Sequence, residues 1–261
     1  MKTENKRRNA TIAVECKKML SQKSLYVCAI LFAVIYLISI PYADFGVINM
    51  LEGVIWGGTF RHLGTICMVL PYGLSFYKEK SSGNLPLILQ RSGKKKYCIA
   101  KTISCFLSGG FVATIGLLMY LLFLYFVMGA PLQMNSDYEQ SPYLAANLLH
   151  TGKITEYFLL RFLTHFLYGG TTAILGVLGS MLLSNPFVAS ICPYLFLYVL
   201  QILGGSRIPL ELQIECVANG DIRIVNFGFG ILYTLVFFGV YVLIEYVIMQ
   251  KLIKREGEKT E

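Results

Sequence analysis

The sequence predicts an all-α polytopic membrane protein with six transmembrane helices. Apolar residues make up 55% of the chain and charged residues only 15%, whereas soluble domains carry about 25% charged residues. The apolar residues form long continuous runs instead of alternating with polar ones, which favours helices over a β-barrel. Eighteen of the 23 Lys and Arg residues fall in the two tails and in one connection, which indicates a single orientation across the bilayer.

Six apolar windows are each long enough for a helix of about 20 residues to cross about 30 Å of hydrocarbon. Within a single transmembrane domain covering residues 1–261, they lie at about 24–41, 60–77, 98–128, 157–183, 187–204 and 227–250. The first window follows a basic tail, as a signal peptide would. It is as long as a full span and no small-residue cleavage site follows it, so we expect it to be retained.

Both termini are predicted to lie in the cytoplasm of a multi-pass cell-membrane protein. An even number of spans puts the two tails on one side, together with the basic connection 78–101, and an excess of Lys and Arg marks the cytoplasmic side. The same charges attract anionic headgroups, so membrane lipids are expected partners. No recognition motif for nucleic acid accompanies the charge, and no nucleic-acid partner is expected.

Residues 10–22, ahead of the first span, are predicted to form a helix that lies in the membrane interface. Glu15, Lys17 and Lys18 fall on one face of this helix. The opposite face carries apolar residues at helical spacing, namely Ile12, Cys16, Met19 and Leu20. The alternative is a solvated basic tail.

The connection 78–97, between spans two and three, carries the strongest functional signal. It is too polar to cross hydrocarbon, and its centre is too apolar for a plain linker. Asn84 is placed to cap a helix that begins at Leu85, Pro86 is tolerated in a first turn, and Gly93 ends the helix. The segment is predicted to be a cytoplasmic docking helix, lying under the membrane or in a groove of a soluble partner.

Leu85, Ile88 and Leu89 share one face of that helix. Burying three or four aliphatic side chains contributes roughly 5 to 10 kcal/mol, against an association cost of about 4 to 15 kcal/mol. One such helix is too weak alone. A durable complex therefore needs a second contact surface, or a second copy of the chain for bivalent attachment.

Two features inside the spans invite a functional interpretation. Thr172, Gly176 and Ser180 recur every four residues in span four, which indicates helix packing, with a substrate path as the alternative. Glu245 lies inside the last apolar run, where an unpaired carboxylate costs several kcal/mol. Snorkelling toward the interface or pairing with a basic group near Lys251 is the structural explanation, and coupling to ATP hydrolysis is the functional one.

The motifs of several enzyme classes are missing. The sequence has no GxxxxGK[ST] loop to hold phosphate, and His62, His150 and His165 are dispersed with no HExxH. The seven cysteines form no CxxC pair, so neither a disulfide framework nor a metal site is indicated. We expect no catalytic residues and no cofactor bound by this chain.

Two regions resemble the six-span permease subunits of type 2 ABC exporters. Residues 14–25 are similar to the elbow helix of that family, and residues 76–101 to its coupling-helix region. The likeness in the second region rests on Glu79 with Ser82-Gly83, on Leu85 to Leu89, and on Ala100-Lys101. Ser92-Gly93 stands where the family often has proline, and Pro86 lies inside the coupling helix, so the register of the docking face departs from the family pattern.

The resemblance implies a permease that works as a dimer with an identical or related permease and docks a separate ATP-binding cassette subunit, which holds ATP and Mg²⁺. It would move a peptide, an antibiotic or a lipid-like amphiphile. The residues expected to dock the ATPase are Glu79, Gly83, Leu85, Leu87, Ile88, Leu89 and Arg91. The alternatives are a non-transporting scaffold or immunity protein and, less favoured without a mid-membrane charge cluster, a secondary transporter.

Overall fold

The computed structural model describes residues 2–39, 46–56, 63–132, 143–204, 207–224 and 226–258, and the side chains of residues 2–10, Trp56, Gly204, Leu210, Gly257 and Glu258 are not among them. Within these ranges the chain is helical and contains no strand. The helices are α1 (Lys2–Leu20), α2 (Lys23–Ile38), α3 (Val47–Trp56), α4 (Thr65–Val69), α5 (Ser75–Ser81), α6 (Leu85–Ser92), α7 (Lys94–Leu122), α8 (Leu144–His150), α9 (Ile154–Leu182), α10 (Pro186–Gly204), α11 (Ile214–Ala218) and α12 (Phe227–Glu258).

Four described helices are long and apolar enough to cross a membrane. They are Lys94–Val127, which is α7 continued by a π-helical turn, and Ile154–Leu182, Pro186–Leu203 and Phe227–Glu256. A fifth span is possible if Thr11–Leu20 and Lys23–Ile38, which meet at a bend of 54°, count together. The prediction of an all-α membrane protein is confirmed at this level.

The second predicted span, 60–77, is not one continuous helix. Its described part consists of α4, a turn at 70–74 and the start of α5, while residues 60–62 lie outside the described residues. In the turn, the N–H of Gly73 donates to the carbonyl of Val69 at 2.8 Å. Pro71 has no N–H to donate, which interrupts the helical hydrogen bonds here. A hydropathy window is insensitive to this break.

The centre of the bundle is the pair α7 and α9. A Cβ atom added to Gly109 would lie 2.0 Å from the carbonyl oxygen of Gly169, and one added to Gly169 would lie 2.5 Å from the carbonyl oxygen of Gly109. The two backbones therefore touch where neither residue has a side chain, as membrane helices do at small residues. The predicted small-residue stripe includes Gly176, two turns further along the same face of α9, where an added Cβ would meet Val69 of α4 at 2.3 Å.

Gly109→Ala is expected to destabilise the protein by about 1–3 kcal/mol, because the added methyl group meets backbone that cannot rotate away. Gly239→Ala in α12 is the matched control, since its Cβ meets nothing within 4 Å. The control should be neutral or slightly stabilising through helix propensity. Unfolding in detergent micelles measures both, and equal stabilities would contradict the close approach of α7 and α9.

The outer spans present wide apolar surfaces. In α12, Leu232, Val236, Leu243 and Val247 are exposed, as expected for side chains that face lipid. The opposite face of the same helix is buried, and it carries Thr234, Phe238, Glu245, Met249 and Ile253. α12 therefore packs on α7 and α9 along one stripe only.

Candidate functional site

The basic end of the molecule combines the C-terminal half of α1, the short helices α5 and α6, the first turns of α7 and the last turns of α12. α1 and α6 both pack on α7, and α5 packs on α6. Lys80 of α5 forms an ion pair of 2.9 Å with Glu256 of α12. The segment predicted to dock a partner therefore belongs to a connected structure.

A buried ionic cluster lies at the base of this end. Its four charged residues are Glu15 and Lys18 of α1, Glu79 of α5 and Lys101 of α7. The ammonium of Lys101 lies 2.8 Å from Oε1 of Glu79 and 3.2 Å from Oε2 of Glu15, and its side chain is fully buried. Lys18, about half-exposed, lies 2.8 Å from the same oxygen of Glu79. Two carboxylates and two ammonium groups thus balance in charge.

Two tyrosines complete the polar contacts of the ionic cluster. The hydroxyl of Tyr72 donates to Oε2 of Glu15 at 2.5 Å, and that of Tyr97 donates to Oε2 of Glu79 at 2.6 Å. The Lys101 ammonium also lies 5.0 Å and 5.3 Å from the centres of these two rings, which adds cation–π attraction. Buried charges are tolerated when they are paired and hydrogen-bonded in this way.

Glu79 is held in its ionised form. Burial alone disfavours the carboxylate, but the ammonium of Lys101 and hydrogen bonds from Lys101, Lys18 and Tyr97 outweigh it and hold the pKa of Glu79 below its ordinary value of 4.5. A lowered pKa stabilises the folded state at every pH above the ordinary value. That contribution disappears only as the pH falls through the lowered pKa, so the cluster is intact at neutral pH.

α6 is presented at the surface beyond this cluster, between two glycines in the left-handed region. Gly83 has a φ of 72° and Gly93 a φ of 80°, a conformation that favours glycine over other residues. The predicted role of Asn84 differs from the structure: its side chain makes no cap to α6 and instead donates to the Ser82 hydroxyl at 2.9 Å. Glycine conformation, not an Asn cap, defines the helix ends.

The face of α6 that the sequence assigns to docking is turned toward the protein. Leu85 is buried, and Ile88 and Leu89 pack against the core. The exposed face carries Leu87, which is 59% exposed, and the exposed residues Pro86, Gln90 and Arg91. Of the seven residues predicted to dock an ATPase, Gly83, Leu87 and Arg91 lie on the surface, whereas Glu79 belongs to the buried cluster.

α1 also differs from its predicted amphipathic pattern. Met19 is buried and Ile12 and Cys16 are half-buried, as expected for the apolar face, but Leu20 is 47% exposed. Glu15, assigned to the polar face, is turned inward to Lys101. A carboxylate at the edge of an apolar stripe is ambiguous from one helix alone, and only the buried lysine of α7 decides its direction.

A second ionic cluster lies at the opposite end of the bundle. Arg161 of α9 is buried and donates to the carboxylate of Glu52 on α3 and to the carbonyl of Asn219 after α11. The hydroxyl of Tyr157 donates to the same carboxylate, and its ring lies 5.1 Å from the guanidinium. We call Glu52, Tyr157 and Arg161 the outer cluster. It connects α3, α9 and α11, which are far apart in sequence.

A hydrogen-bond chain extends from the outer cluster into the bundle. Nδ1 of His165 lies 2.8 Å from the carbonyl of Arg161, which only accepts, so Nδ1 carries the hydrogen. In the neutral ring, Nε2 then accepts from the hydroxyl of Tyr36 on α2, at 2.7 Å. Arg161 and His165, one turn apart in α9, therefore connect this helix to α2, to α3 and to the segment after α11.

Glu245 is buried in α12, with 2% exposure. No described residue forms a hydrogen bond with either of its carboxylate oxygens. Neither snorkelling to the surface nor pairing with a described basic group accounts for it. It is the one charged residue of the buried α12 stripe among the described residues.

Comparison of the chain with protein-family models, curated proteins and solved structures gave no match. A functional proposal therefore rests on the geometry of the basic end and on the residues of the spans.

Proposed function

We propose that this chain is the permease subunit of a type 2 ABC transporter, with α1 as the elbow helix and α6 as the coupling helix. A separate ATP-binding cassette subunit would hydrolyse ATP, and two permease subunits would form the translocation path for a lipid-like or peptide amphiphile. In this proposal the basic end faces the cytoplasm and both termini lie there.

The observation that carries the proposal is that α6 has one exposed face and is held between α5 and α7, which the buried ionic cluster connects. A coupling helix must transmit force, so it needs an exposed face for the partner and a rigid connection to the spans. Leu87 and Arg91 supply the exposed face. The rigid connection is the buried ionic cluster, which joins α5, directly before α6, to α7, directly after it, and to α1.

A second contact surface lies beside this region. A cavity of about 500 Å³ is formed by α5, the turn between α9 and α10, and the end of α12. Lys80, Ser184 and Arg255 are among its lining residues. A partner that contacts both α6 and this cavity would gain the additional area that a single short helix lacks.

The docking proposal predicts the effect of changing the exposed face of α6. Leu87→Asp combined with Arg91→Glu should reduce co-purification of the ATPase subunit by about tenfold or more, because an apolar contact and a positive charge are both lost. Quantitative mass spectrometry of the tagged, gently solubilised complex measures this ratio. Membrane insertion should be unchanged.

Ser82→Asp is the control for an added carboxylate, since it places one on an exposed residue just outside α6 without removing an apolar or basic side chain of that helix. It should leave association near the wild-type level. Equal recovery of the ATPase with wild type and the double variant would refute docking through this face. A wild-type chain that never brings an ATP-binding cassette subunit would refute the proposed function.

A further inference from the structure

An apolar groove opens between α7 and α12 at the level of Phe106 and Phe238. Its volume is about 290 Å³, and its lining includes Thr102, Ile103, Leu167 and Val242. Ile103 and Leu235 are exposed, so the groove is accessible from the side of the bundle, where lipid chains lie around a membrane protein. It has the chemistry of a site for an aliphatic chain.

Gly239 makes room for the groove. It is exposed on α12, it lines the groove, and a Cβ atom built on it would meet nothing within 4 Å. This differs from the glycines of α7 and α9, whose missing side chains are explained by helix contact. A large side chain at this position would therefore extend into the groove.

Glu245 lies on the buried stripe of α12 between Val242, which lines the groove, and Met249, whose sulfur accepts from the hydroxyl of the groove residue Thr102 at 3.6 Å. It follows Val242 by three residues, which is about 4.5 Å along the helix, and shares the buried stripe with Phe238. An ionised carboxylate in such surroundings is unstable without a counter-charge. The candidate counter-charge on α7, Lys101, is already paired with Glu15 and Glu79.

We propose that the groove and Glu245 together bind an amphiphile that carries a positively charged amine. Its aliphatic chain lies along Phe106 and Phe238, and its ammonium group pairs with the Glu245 carboxylate. The inference rests on the proposed function, because it names the substrate class of that permease, but the binding it describes requires no ATPase.

Binding is tested with the purified full chain in nanodiscs of zwitterionic lipid. The probes are a nitroxide-labelled hexadecyl quaternary ammonium and a nitroxide-labelled hexadecanol, which has no charge, and the immobilised fraction of each electron paramagnetic resonance spectrum gives their relative affinities. Wild type should prefer the cationic probe by about tenfold, the size of one charge-assisted contact. Glu245→Gln should reduce this preference to near one.

Gly239→Leu and Val236→Leu test the groove independently of the charge. At Gly239 the leucine side chain fills the groove, so the immobilised fraction of both probes should fall several-fold. Val236 is exposed on the same helix outside the lining of the groove, so its leucine variant should bind both probes like wild type. The pair keeps the proposal testable if Glu245→Gln fails to fold. Equal preference in wild type and Glu245→Gln, or equal binding by Gly239→Leu and Val236→Leu, would overturn the inference.

The outcome is separable from that of the docking experiment. Loss of ATPase association in the α6 variant leaves probe binding by the chain alone unchanged. Conversely, a chain that recruits an ATPase but shows no cationic preference keeps the permease proposal and loses only the substrate class.

Discussion

Lys101→Met is expected to lower the free energy of unfolding by about 3–5 kcal/mol, because removing one partner of a buried ion pair leaves uncompensated charge behind. Lys101 neutralises Glu15 and Glu79 at 3.2 Å and 2.8 Å. Once it is removed, one half-exposed ammonium, that of Lys18, faces two carboxylates. Unfolding in detergent micelles, followed by circular dichroism, measures the loss.

A second substitution in the same cluster tests whether the loss of stability comes from the unbalanced charge or from the changed size of the side chain at position 101. Adding Glu15→Gln to Lys101→Met leaves the pair Lys18 and Glu79, which is neutral, so part of the lost stability should return. Lys18→Met alone should cost less than Lys101→Met, since solvent screens its half-exposed charge. A Lys101→Met protein as stable as wild type would show that the cluster contributes nothing to the connection of α1, α5 and α7.

Arg161→Met is expected to have an effect of similar size, about 3–5 kcal/mol, at the opposite end of the bundle. The substitution leaves the Glu52 carboxylate buried with only the Tyr157 hydroxyl as a donor among the contacts described above, and the carbonyl of Asn219 loses its donor. The helices α3, α9 and α11 would lose their shared connection. Thermal unfolding of the purified protein measures the change.

Two matched variants control the Arg161 experiment. Arg161→Met combined with Glu52→Gln removes the orphaned charge and should recover part of the stability. Lys153→Met breaks an exposed ion pair of 3.6 Å with Glu156 on the same helix and should change stability by less than about 1 kcal/mol. If Lys153→Met and Arg161→Met were equally destabilising, the outer cluster would have no special role.

Composition and hydropathy predict the class of this fold because a long continuous apolar run is enough to identify a membrane-spanning helix. α7, α9, α10 and α12 each lie within or over a predicted window, since about 20 apolar residues leave few alternatives to a membrane helix. The break between α4 and α5 escapes the same reasoning. A window averages over Pro71 and Gly73 and reports only that the stretch is apolar.

The partners of the buried polar side chains, unlike the long spans, cannot be predicted from local sequence. The pairs Glu15 with Lys101 and Glu52 with Arg161 join residues 86 and 109 positions apart, and no local pattern specifies such partners. Local signals, namely a proline, a glycine and an apolar stripe, predict that α6 is a helix. The exposed face of α6 is decided by how the helix packs on α7. The sequence alone therefore does not show that Leu85 is buried and Leu87 exposed.

The most direct test of the proposed coupling role places a photo-crosslinking amino acid at position 87 in intact membranes, with position 243 on the exposed face of α12 as the reference. We predict that illumination joins position 87, and not position 243, to a protein containing an ATP-binding cassette. An absence of that adduct at position 87 in membranes where the ATPase is present, or equal yields at both positions, would contradict the account.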